Sequence, residues 1–204
     1  MGGGLKLKAL VLLSGGLDST TVLSHALSQG YEVSCLSFDY GQRHSIELES
    51  SRKIAEKMGV ERKVFSLDLR QFGGSSLTSD IDVEEGKFDR EEVPNTYVPG
   101  RNIIFLSIAG AIADIKKCEA IMIGVNAVDY SGYPDCRPEF ISSMEKSLRT
   151  GLAFSSNIKI DAPLQTMSKA EIIKYGIKLG TLWDKTVKSV KENAEKVDQF
   201  LSSN

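Results

Sequence analysis

The stretch VLLSGGLDSTTVL, residues 11–23, joins a run of apolar strand-forming residues to the start of a helix. Between the two lies Ser-Gly-Gly, and the Asp-Ser-Thr that follows is typical of a helix N-terminus. Glycines let the backbone approach a ligand closely, and the first amides of a helix are unsatisfied donors at the positive end of its dipole. Because parallel sheets bind ligands at the carboxyl ends of their strands, the stretch predicts a phosphate-binding turn. Its hydroxyl donors are Ser14, Ser19 and Thr20.

The rest of the chain alternates apolar runs with segments of helical period, which indicates an α/β fold built on a parallel sheet. We expect strands over residues 8–14, 32–40, 62–69, 120–126 and 158–164. Helices are expected over residues 18–29, 45–58, 102–117 and 169–179, with a charged helical tail over about 181–204. The sequence therefore predicts a Rossmann-like parallel five-stranded sheet flanked by helices.

Length and composition indicate one domain covering residues 1–204. With 41% hydrophobic and 25% charged residues the chain is of ordinary globular type. Its net charge of -2 offers no broad basic surface for nucleic acid or for an anionic membrane. Residues 70–99 are acidic and lack apolar periodicity. A connection of this length is typical of a mobile lid over a binding site, and the alternative is an inert insertion.

The cysteines indicate the cellular compartment in which we expect the protein. Cys35, Cys118 and Cys136 are far apart and form no C-x-x-C pair, which argues against a disulfide framework and favours a reducing cytoplasm. The apolar run ALVLL, residues 9–13, is too short for a signal peptide or a membrane span. We therefore expect a cytoplasmic protein with neither a membrane nor a nucleic-acid partner.

Two familiar phosphate-binding loops do not match the turn after the first strand. A P-loop requires Gly-Lys-Ser/Thr, but residues 11–23 contain no lysine, and the G-x-G-x-x-G pattern of dinucleotide-binding proteins is missing as well. Asp18 lies in the loop instead, and its carboxylate would repel phosphate unless Mg²⁺ lies between them. The alternative is that Asp18 caps the helix and that the glycines only turn the chain.

The sequence SGGLDS, residues 14–19, resembles the S-G-G-x-D-S signature of the PP-loop ATP pyrophosphatases, whose fold is adenine nucleotide alpha hydrolase-like. In that superfamily the loop binds the leaving pyrophosphate while a substrate oxygen attacks the α-phosphorus of ATP. The resemblance implies ATP as a substrate and Asp18 as a ligand of Mg²⁺. It assigns nucleotide binding to Ser14, Gly15, Gly16, Leu17, Asp18, Ser19 and Thr20.

Four further stretches resemble the 7-cyano-7-deazaguanine synthase family: FDYGQRHSIEL (38–48), TYVPGRNIIFLSIA (96–109), GVNAVDYSGYPDCRPEF (124–140) and APLQTMSKAEI (162–172). The resemblance is co-linear from about Ala9 to Gly180. It implies that 7-carboxy-7-deazaguanine, ammonia and ATP are converted into the nitrile preQ0, a precursor of queuosine. The route passes through an adenylated acid, an amide and an adenylated amide, and the family often forms homodimers.

The resemblance also implies charged site residues near the starts of helices. Arg101 and Asn102 follow VPG, where an arginine can add bidentate charge to phosphate or carboxylate. Lys169 would neutralise the charge that grows on the α-phosphate and on the leaving pyrophosphate. Arg43 and His44 are assigned to the ATP pocket. The plainer alternatives are solvated surface positions for Arg101 and Lys169, and a helix-start position for His44.

The sequence DYSGYPDCR, residues 129–137, is expected to bind the deazaguanine. Carboxylates can accept hydrogen bonds from the ring N–H and amino groups, aromatic rings can stack on the base, and an arginine can face the substrate carboxylate. The candidates are Asp129, Tyr130, Tyr133, Asp135 and Arg137. The alternative is a rigid turn built on Gly132 and Pro134, with its tyrosines packed in the core.

One feature of the family pattern is missing. The family carries a C-terminal cysteine cluster that binds one structural zinc ion, but no cysteine follows Cys136 in this sequence. Because tetrahedral zinc needs about four ligands, we expect no zinc site. The tail should instead pack through Val187, Val190 and Val197. The activity then has three alternatives: the family reaction, a reaction that stops at the amide or adenylates a related acid, or nucleotide binding without catalysis.

Overall fold

The computed structural model describes residues 6–41, 46–72, 97–126, 133–184 and 187–193. These residues contain a five-stranded sheet in which every strand pairing is parallel. Its strands are β1 (Lys8–Leu12), β2 (Glu32–Asp39), β3 (Glu61–Ser66), β4 (Ala120–Met122) and β5 (Lys159–Asp161). The parallel five-stranded sheet predicted from the sequence is therefore confirmed.

Helices flank this sheet on both faces. They are α1 (Leu17–Ser28), α2 (Ile46–Met58), α3 (Arg101–Lys116), α4 (Pro138–Gly151), α5 (Lys169–Lys178) and α6 (Lys188–Lys191). Short 3₁₀ turns cover Leu69–Phe72 and Pro134–Cys136. Helices α1, α2, α3 and α5 begin within one residue of the predicted positions.

The order of the strands places the binding crevice. The order is β3-β2-β1-β4-β5, so the chain runs outward from β1 to β3 and then crosses back to the other side of β1. Val11 of β1 accordingly pairs with Cys35 of β2 and with Met122 of β4. Open α/β sheets bind ligands where this direction changes, at the carboxyl ends of the strands. In this protein that point lies between the turn after β1 and the segment after β4.

Side-chain alternation along β1 builds a core on each face of the sheet. Ala9, Val11 and Leu13 pack with α1, α2, α5 and α6, whereas Leu10 and Leu12 pack with α3 and α4. All five side chains are buried. Because both faces of β1 are covered, its sequence is a continuous apolar run rather than an alternating one.

Helix α4 was not predicted from the sequence. Its signals are Pro138 at the first helical position and two buried residues, Ile141 and Leu148, that are seven positions apart. Phe140 and Met144 are partly buried beside them, so the four residues form an apolar stripe at helical spacing that the sequence prediction missed.

The end of the chain also differs from the prediction. Residues 181–184 are not helical, and α6 covers four residues of the helical tail expected over 181–204. The Trp183 indole N–H holds this non-helical path because it donates to the Leu17 carbonyl and to the Thr21 hydroxyl, each at 3.1 Å. Val187 and Val190 are buried in the core, as predicted. Val197 lies outside the described residues.

Most of the expected lid, residues 73–96 of the predicted 70–99, also lies outside the described residues, so the lid stays a prediction. In the described ranges, no helix combines the length and the apolar composition that a membrane crossing requires.

Gly15 is the point at which the turn after β1 meets α2. Its φ of 89° lies in the left-handed region that favours glycine. A Cβ atom at this position would lie 2.6 Å from the Glu47 carbonyl oxygen and 2.6 Å from the Ser51 nitrogen. The Ser50 hydroxyl donates to the Gly15 carbonyl at 3.1 Å. The turn thus rests on the α2 backbone at a separation that leaves no room for a side chain.

We predict that Gly15→Ala lowers the free energy of unfolding by about 3 kcal/mol, since a left-handed alanine and a backbone overlap each cost about 1–2 kcal/mol. Urea denaturation followed by circular dichroism measures the loss. Gly30→Ala is the matched control because Gly30 has a similar φ of 81° but no atom within 4 Å of the added Cβ. Equal losses in the two variants would show that the contact with α2 does not matter.

Candidate active site

A cavity of about 350 Å³ opens at the switch point of the sheet. The turn after β1, the segment after β4, and the first turns of α3 and α5 all contribute to its wall. Its polar lining includes Ser14, Asp18, Ser19, Arg101, Asn102, Asn126, Lys169 and Ser189. Its apolar lining includes Leu12, Leu36, Phe38, Phe105, Ile123 and Val125. A lining that combines hydroxyls, cations and aromatic side chains suits a ligand with an anionic group and a flat ring.

Serine hydroxyls meet the backbone amides of the turn after β1. The amides of residues 14–17 donate to serine Oγ atoms at 3.2 or 3.3 Å. Ser19 accepts the first two hydrogen bonds, Ser14 the third and Ser189 the fourth. The expectation of unsatisfied amides over residues 15–20 is therefore wrong for residues 15–17, because hydroxyl oxygens accept from them. A hydroxyl that accepts from an amide can still donate its own proton to a ligand.

Ser37 fixes the strand side of the same turn. Its hydroxyl donates to the Leu13 carbonyl at 2.6 Å and accepts from Arg62 Nε at 2.8 Å. Arg62 also donates to the Leu48 carbonyl of α2 at 3.1 Å. The turn is therefore held by β2, β3 and α2 before any ligand binds, which is the preorganisation that charge stabilisation requires.

Asp18 and Lys169 form an ion pair across the cavity. Lys169 Nζ lies 2.9 Å from Asp18 Oδ1 and 3.0 Å from Oδ2. Both side chains are largely buried, with 20% of Lys169 and 19% of Asp18 exposed. The N-cap of α1 is Gly16, so the alternative in which Asp18 caps that helix is not supported. The carboxylate instead lies between the turn and the start of α5.

A capping box sets the position of Lys169. The Ser168 hydroxyl accepts from the Glu171 amide at 3.4 Å, and the Glu171 carboxylate accepts from the Ser168 amide at 2.7 Å. The Ser168 hydroxyl also donates to the Glu171 carboxylate at 2.7 Å, and the hydrogen bonds from this hydroxyl and from the Ser168 amide lower the pKa of Glu171, so the box is intact at neutral pH. Helix α5 therefore begins at Lys169, as predicted, and presents its cation to Asp18.

Arg101 begins α3, and a residue from a distant loop caps that helix. Asp135 Oδ2 accepts from the Asn102 amide at 2.9 Å, and Asn102 Nδ2 donates to the Asp135 carbonyl at 3.0 Å. Burial alone would lower the pKa of Arg101, but Tyr40 and Asp135 outweigh it and raise the pKa. The guanidinium is thus a permanent cation in the cavity wall.

Aromatic side chains belong to the lining of the cavity, namely Phe38, Tyr40, Phe105 and Tyr133. Phe38 and Phe105 stack with their centroids 3.9 Å apart and their planes within 2°. Tyr40 lies against Phe105 at 5.5 Å, and Tyr133 lies 5.9 Å from Tyr97. Planar surfaces of this kind favour stacking of a heterocyclic base.

The structure brings together nine of the residues that the sequence suggested. Those that line the cavity are Ser14, Gly16, Leu17, Asp18, Ser19, Arg101, Asn102, Tyr133 and Lys169. Four other described candidates lie outside the lining, namely Gly15, Thr20, Asp135 and Arg137. Thr20 is fully buried and donates to the Gly16 carbonyl at 2.7 Å, so it braces the turn from within. The remaining candidates, Arg43, His44, Asp129 and Tyr130, lie outside the described residues.

Several lining residues were not predicted. Tyr40 directly follows β2, and its place at the carboxyl edge of the sheet was a usable signal. Asn126 lies four residues beyond the end of β4, and its side chain donates to the Met167 carbonyl at 2.7 Å. Ser189 had no comparable signal, because it reaches the cavity only through the path of the C-terminal segment.

The resemblance implies Mg²⁺ and zinc, and the oxygen, nitrogen and sulfur donors of the described residues suit these two metals differently. Mg²⁺ is often held by one or two carboxylates together with substrate phosphates, so Asp18 fits such a site. Within the described ranges, no three His, Cys, Asp or Glu side chains are grouped as a metal centre requires. Cys35, Cys118 and Cys136 lie in different elements, so the described residues do not fit a zinc centre.

Solved structures share this architecture. NMN synthetase from Francisella tularensis matches with a TM-score of 0.53 and 15% identity, over 98% of this chain and 79% of that one. The U34-tRNA thiolase NcsA from Methanococcus maripaludis matches with a TM-score of 0.52 and 16% identity, over 98% of this chain and 72% of that one. At these identities the likeness concerns the fold alone. The fold and the loop at its switch point define an adenine nucleotide alpha hydrolase-like protein of the PP-loop class.

The chain belongs to the QueC family, because the family described as "Queuosine biosynthesis protein QueC" matches residues 8–198. The 7-cyano-7-deazaguanine synthase of Thermoplasma acidophilum is 54% identical over 183 residues, which cover 88% of this chain and 77% of the relative. That of Saccharophagus degradans is 50% identical over 192 residues, covering 92% of this chain and 85% of the relative.

We predict that the native thiols react slowly at alkaline pH. Burial raises the pKa of Cys136 and Cys35 to about 12 and that of Cys118 to about 11. An ordinary thiol titrates near about 8.5, so alkylation by iodoacetamide at pH 8 should be more than about 100-fold slower than for free cysteine. Mass spectrometry after timed quenching measures the rate. All three cysteines should react once guanidinium unfolds the chain, and rapid labelling of native Cys136 would contradict its assignment as a neutral thiol.

Proposed function

We propose that this chain converts 7-carboxy-7-deazaguanine, ammonia and ATP into 7-cyano-7-deazaguanine, as a carbon-nitrogen ligase of queuosine biosynthesis. The observation that carries the proposal is 50–54% identity to curated 7-cyano-7-deazaguanine synthases over most of the chain. The cavity supports it, because a hydroxyl-rich turn, two cations, and aromatic and aliphatic side chains line the same space.

The proposed chemistry uses the α-phosphorus of ATP twice. A carboxylate oxygen of the acid attacks that phosphorus, and pyrophosphate leaves with the electrons of the broken P–O bond. Ammonia then attacks the acyl carbon, AMP departs, and the loss of a proton leaves the amide. The amide oxygen attacks a second ATP in the same way, after which AMP and protons are lost and the C≡N bond remains.

The turn after β1 is proposed to hold the leaving pyrophosphate. The hydroxyls of Ser14 and Ser19 lie 2.9 Å apart, at the start of α1. The positive end of the α1 dipole adds to their effect on an anion. Gly15, Gly16 and Leu17 contribute the backbone of this site, and Thr20 supports it from below.

Lys169 and Arg101 are proposed to stabilise the charge that develops during adenylation. Each stands in the first turn of a helix whose N-terminus faces the cavity. Negative charge grows on the α-phosphate and the pyrophosphate in the transition state, so preorganised cations lower the barrier. When ATP binds, Lys169 can exchange part of its contact with Asp18 for the phosphate oxygens. Arg43 is expected to add to the same nucleotide site.

Asp18 is proposed to hold Mg²⁺ with the phosphates of ATP. A bound Mg²⁺ ion would supply Lewis-acid charge neutralisation at the phosphate oxygens. The chain's own contribution is a balance of charge, since Lys169 Nζ lies 2.9 Å from Asp18 Oδ1. This pairing prevents an uncompensated carboxylate from repelling the nucleotide before the ion arrives.

The residues after β4 are proposed to bind the deazaguanine. Tyr133 lines the cavity and offers a ring for stacking, and Asp129, Tyr130 and Arg137 are candidates for contacts with the base and its carboxyl group. Asp135 is already engaged with Asn102, so we assign it to positioning this loop against α3 rather than to direct contact. We further infer a cytoplasmic location and a homodimeric state, on the resemblance to the synthase family.

The product of the reaction tests the proposal. Purified protein is incubated with 7-carboxy-7-deazaguanine, ammonium, ATP and Mg²⁺, and the base and nucleotide are followed by mass spectrometry. We expect the nitrile together with AMP and pyrophosphate. Accumulation of the amide as sole product would replace the proposal with an amide-forming ligase, and binding without turnover would leave only a nucleotide-binding module.

We predict that Lys169→Met lowers kcat by at least about 100-fold, because one preorganised charge is lost at the reacting phosphates. Lys178→Met is the matched control, since Lys178 lies exposed near the end of the same helix. Steady-state release of pyrophosphate measures both variants.

Asp18→Asn, measured in the same assay, distinguishes the role of Asp18 from that of Lys169. This variant should need more Mg²⁺ for half-maximal rate, whereas Lys169→Met should leave the Mg²⁺ requirement unchanged. If Lys169→Met keeps a third or more of the normal kcat, the proposed role of Lys169 is wrong.

A further inference from the structure

The C-terminal segment, residues 181–184 and 187–193, contributes a hydroxyl to the cavity. The Leu17 amide of α1 donates to Ser189 Oγ at 3.2 Å. Ser189 lines the same cavity as Ser14, Asp18 and Lys169. A Cβ atom added to Gly16 would lie 3.4 Å from Ser189 Oγ, so this hydroxyl lies directly over the turn.

The proton of the Ser189 hydroxyl is available to a ligand. The oxygen accepts from Leu17, and among the described residues no acceptor for its own O–H forms a hydrogen bond with it. A serine hydroxyl both accepts and donates. Ser189 can therefore accept from the helix-terminal amide and donate to a ligand oxygen at the same time. A hydroxyl that lines a polar cavity beside this turn and still has a proton to donate is suited to a phosphate oxygen.

Other contacts of the segment hold Ser189 in place. Trp183 Nε1 donates to the Leu17 carbonyl at 3.1 Å, so the segment contacts both polar groups of the Leu17 backbone. Val187 and Val190, on either side of Ser189, are buried in the core. Asn193 Nδ2 donates to the Ser189 carbonyl at 2.9 Å. The hydroxyl is thus presented by a packed segment rather than by a free end.

We propose that Ser189 is a nucleotide-binding residue whose hydroxyl donates to the pyrophosphate part of bound ATP. The inference rests on the proposed use of ATP, and it adds the C-terminal segment to the turn after β1 as a second source of phosphate ligands. Binding of ATP then also ties residues 187–193 to the start of α1, because Ser189 contacts the Leu17 amide and the phosphate together.

Calorimetric titration with Mg²⁺ and α,β-methylene-ATP tests this role. Ser189→Ala should raise the Kd about tenfold, which corresponds to about 1.4 kcal/mol. Ser189→Thr keeps the hydroxyl and should bind within threefold of the unaltered protein. Ser147→Ala is the matched control, because Ser147 is an exposed helical serine that donates to the Ser143 carbonyl and does not line the cavity.

Competition experiments separate phosphate contact from a structural role. The affinity for inorganic pyrophosphate should also fall about tenfold in Ser189→Ala. The affinity for AMP, measured by competition with the ATP analogue, should equal that of the unaltered protein. Equal loss for AMP, or unchanged affinity for the ATP analogue, would overturn the inference while the proposed function stands. Failure of the unaltered protein to bind the ATP analogue would instead overturn the proposed function, and this inference with it.

Discussion

Close backbone packing at the switch point is the constraint on which the site depends. On one side Gly15 lies against the backbone of α2, and on the other Gly124, just after β4, lies against the start of α1. A Cβ atom on Gly124 would lie 3.0 Å from the Ser19 amide nitrogen. The phosphate-binding turn is therefore enclosed between two elements that only glycines allow to approach. Its geometry is set by the fold rather than by the ligand.

Local charge, not net charge, gives this cavity its chemistry. The chain carries a net charge of -2, yet the starts of α1, α3 and α5 all face one space. Each helix start adds a positive dipole end, and two of them also carry a cationic side chain. Asp18 and Glu47 are carboxylates in the lining of the same cavity, and Asp18 pairs with Lys169 at 2.9 Å in the absence of a substrate.

The sequence allowed the sheet and much of the cavity to be predicted, and the reasons differ between elements. Buried parallel strands are continuous apolar runs, and the capping box before Lys169 is a local signal, so both could be read directly. The hydroxyls over the turn amides could not, because each contact joins residues through tertiary packing. Ser189 meets Leu17 although 172 positions separate the two residues in the sequence. The helix predicted from residue 181 is also missing over residues 181–184, where Trp183 donates hydrogen bonds to α1 instead.

The cap that Asp135 provides for α3 links the two halves of the site. One carboxylate belongs to the loop expected to bind the base, and the amide that it accepts from belongs to the helix that presents Arg101. The loop and the arginine therefore form one hydrogen-bonded unit instead of two separate subsites. The binding free energies of the base and of the nucleotide are therefore not additive, because a change in one half of the site alters the position of the other half.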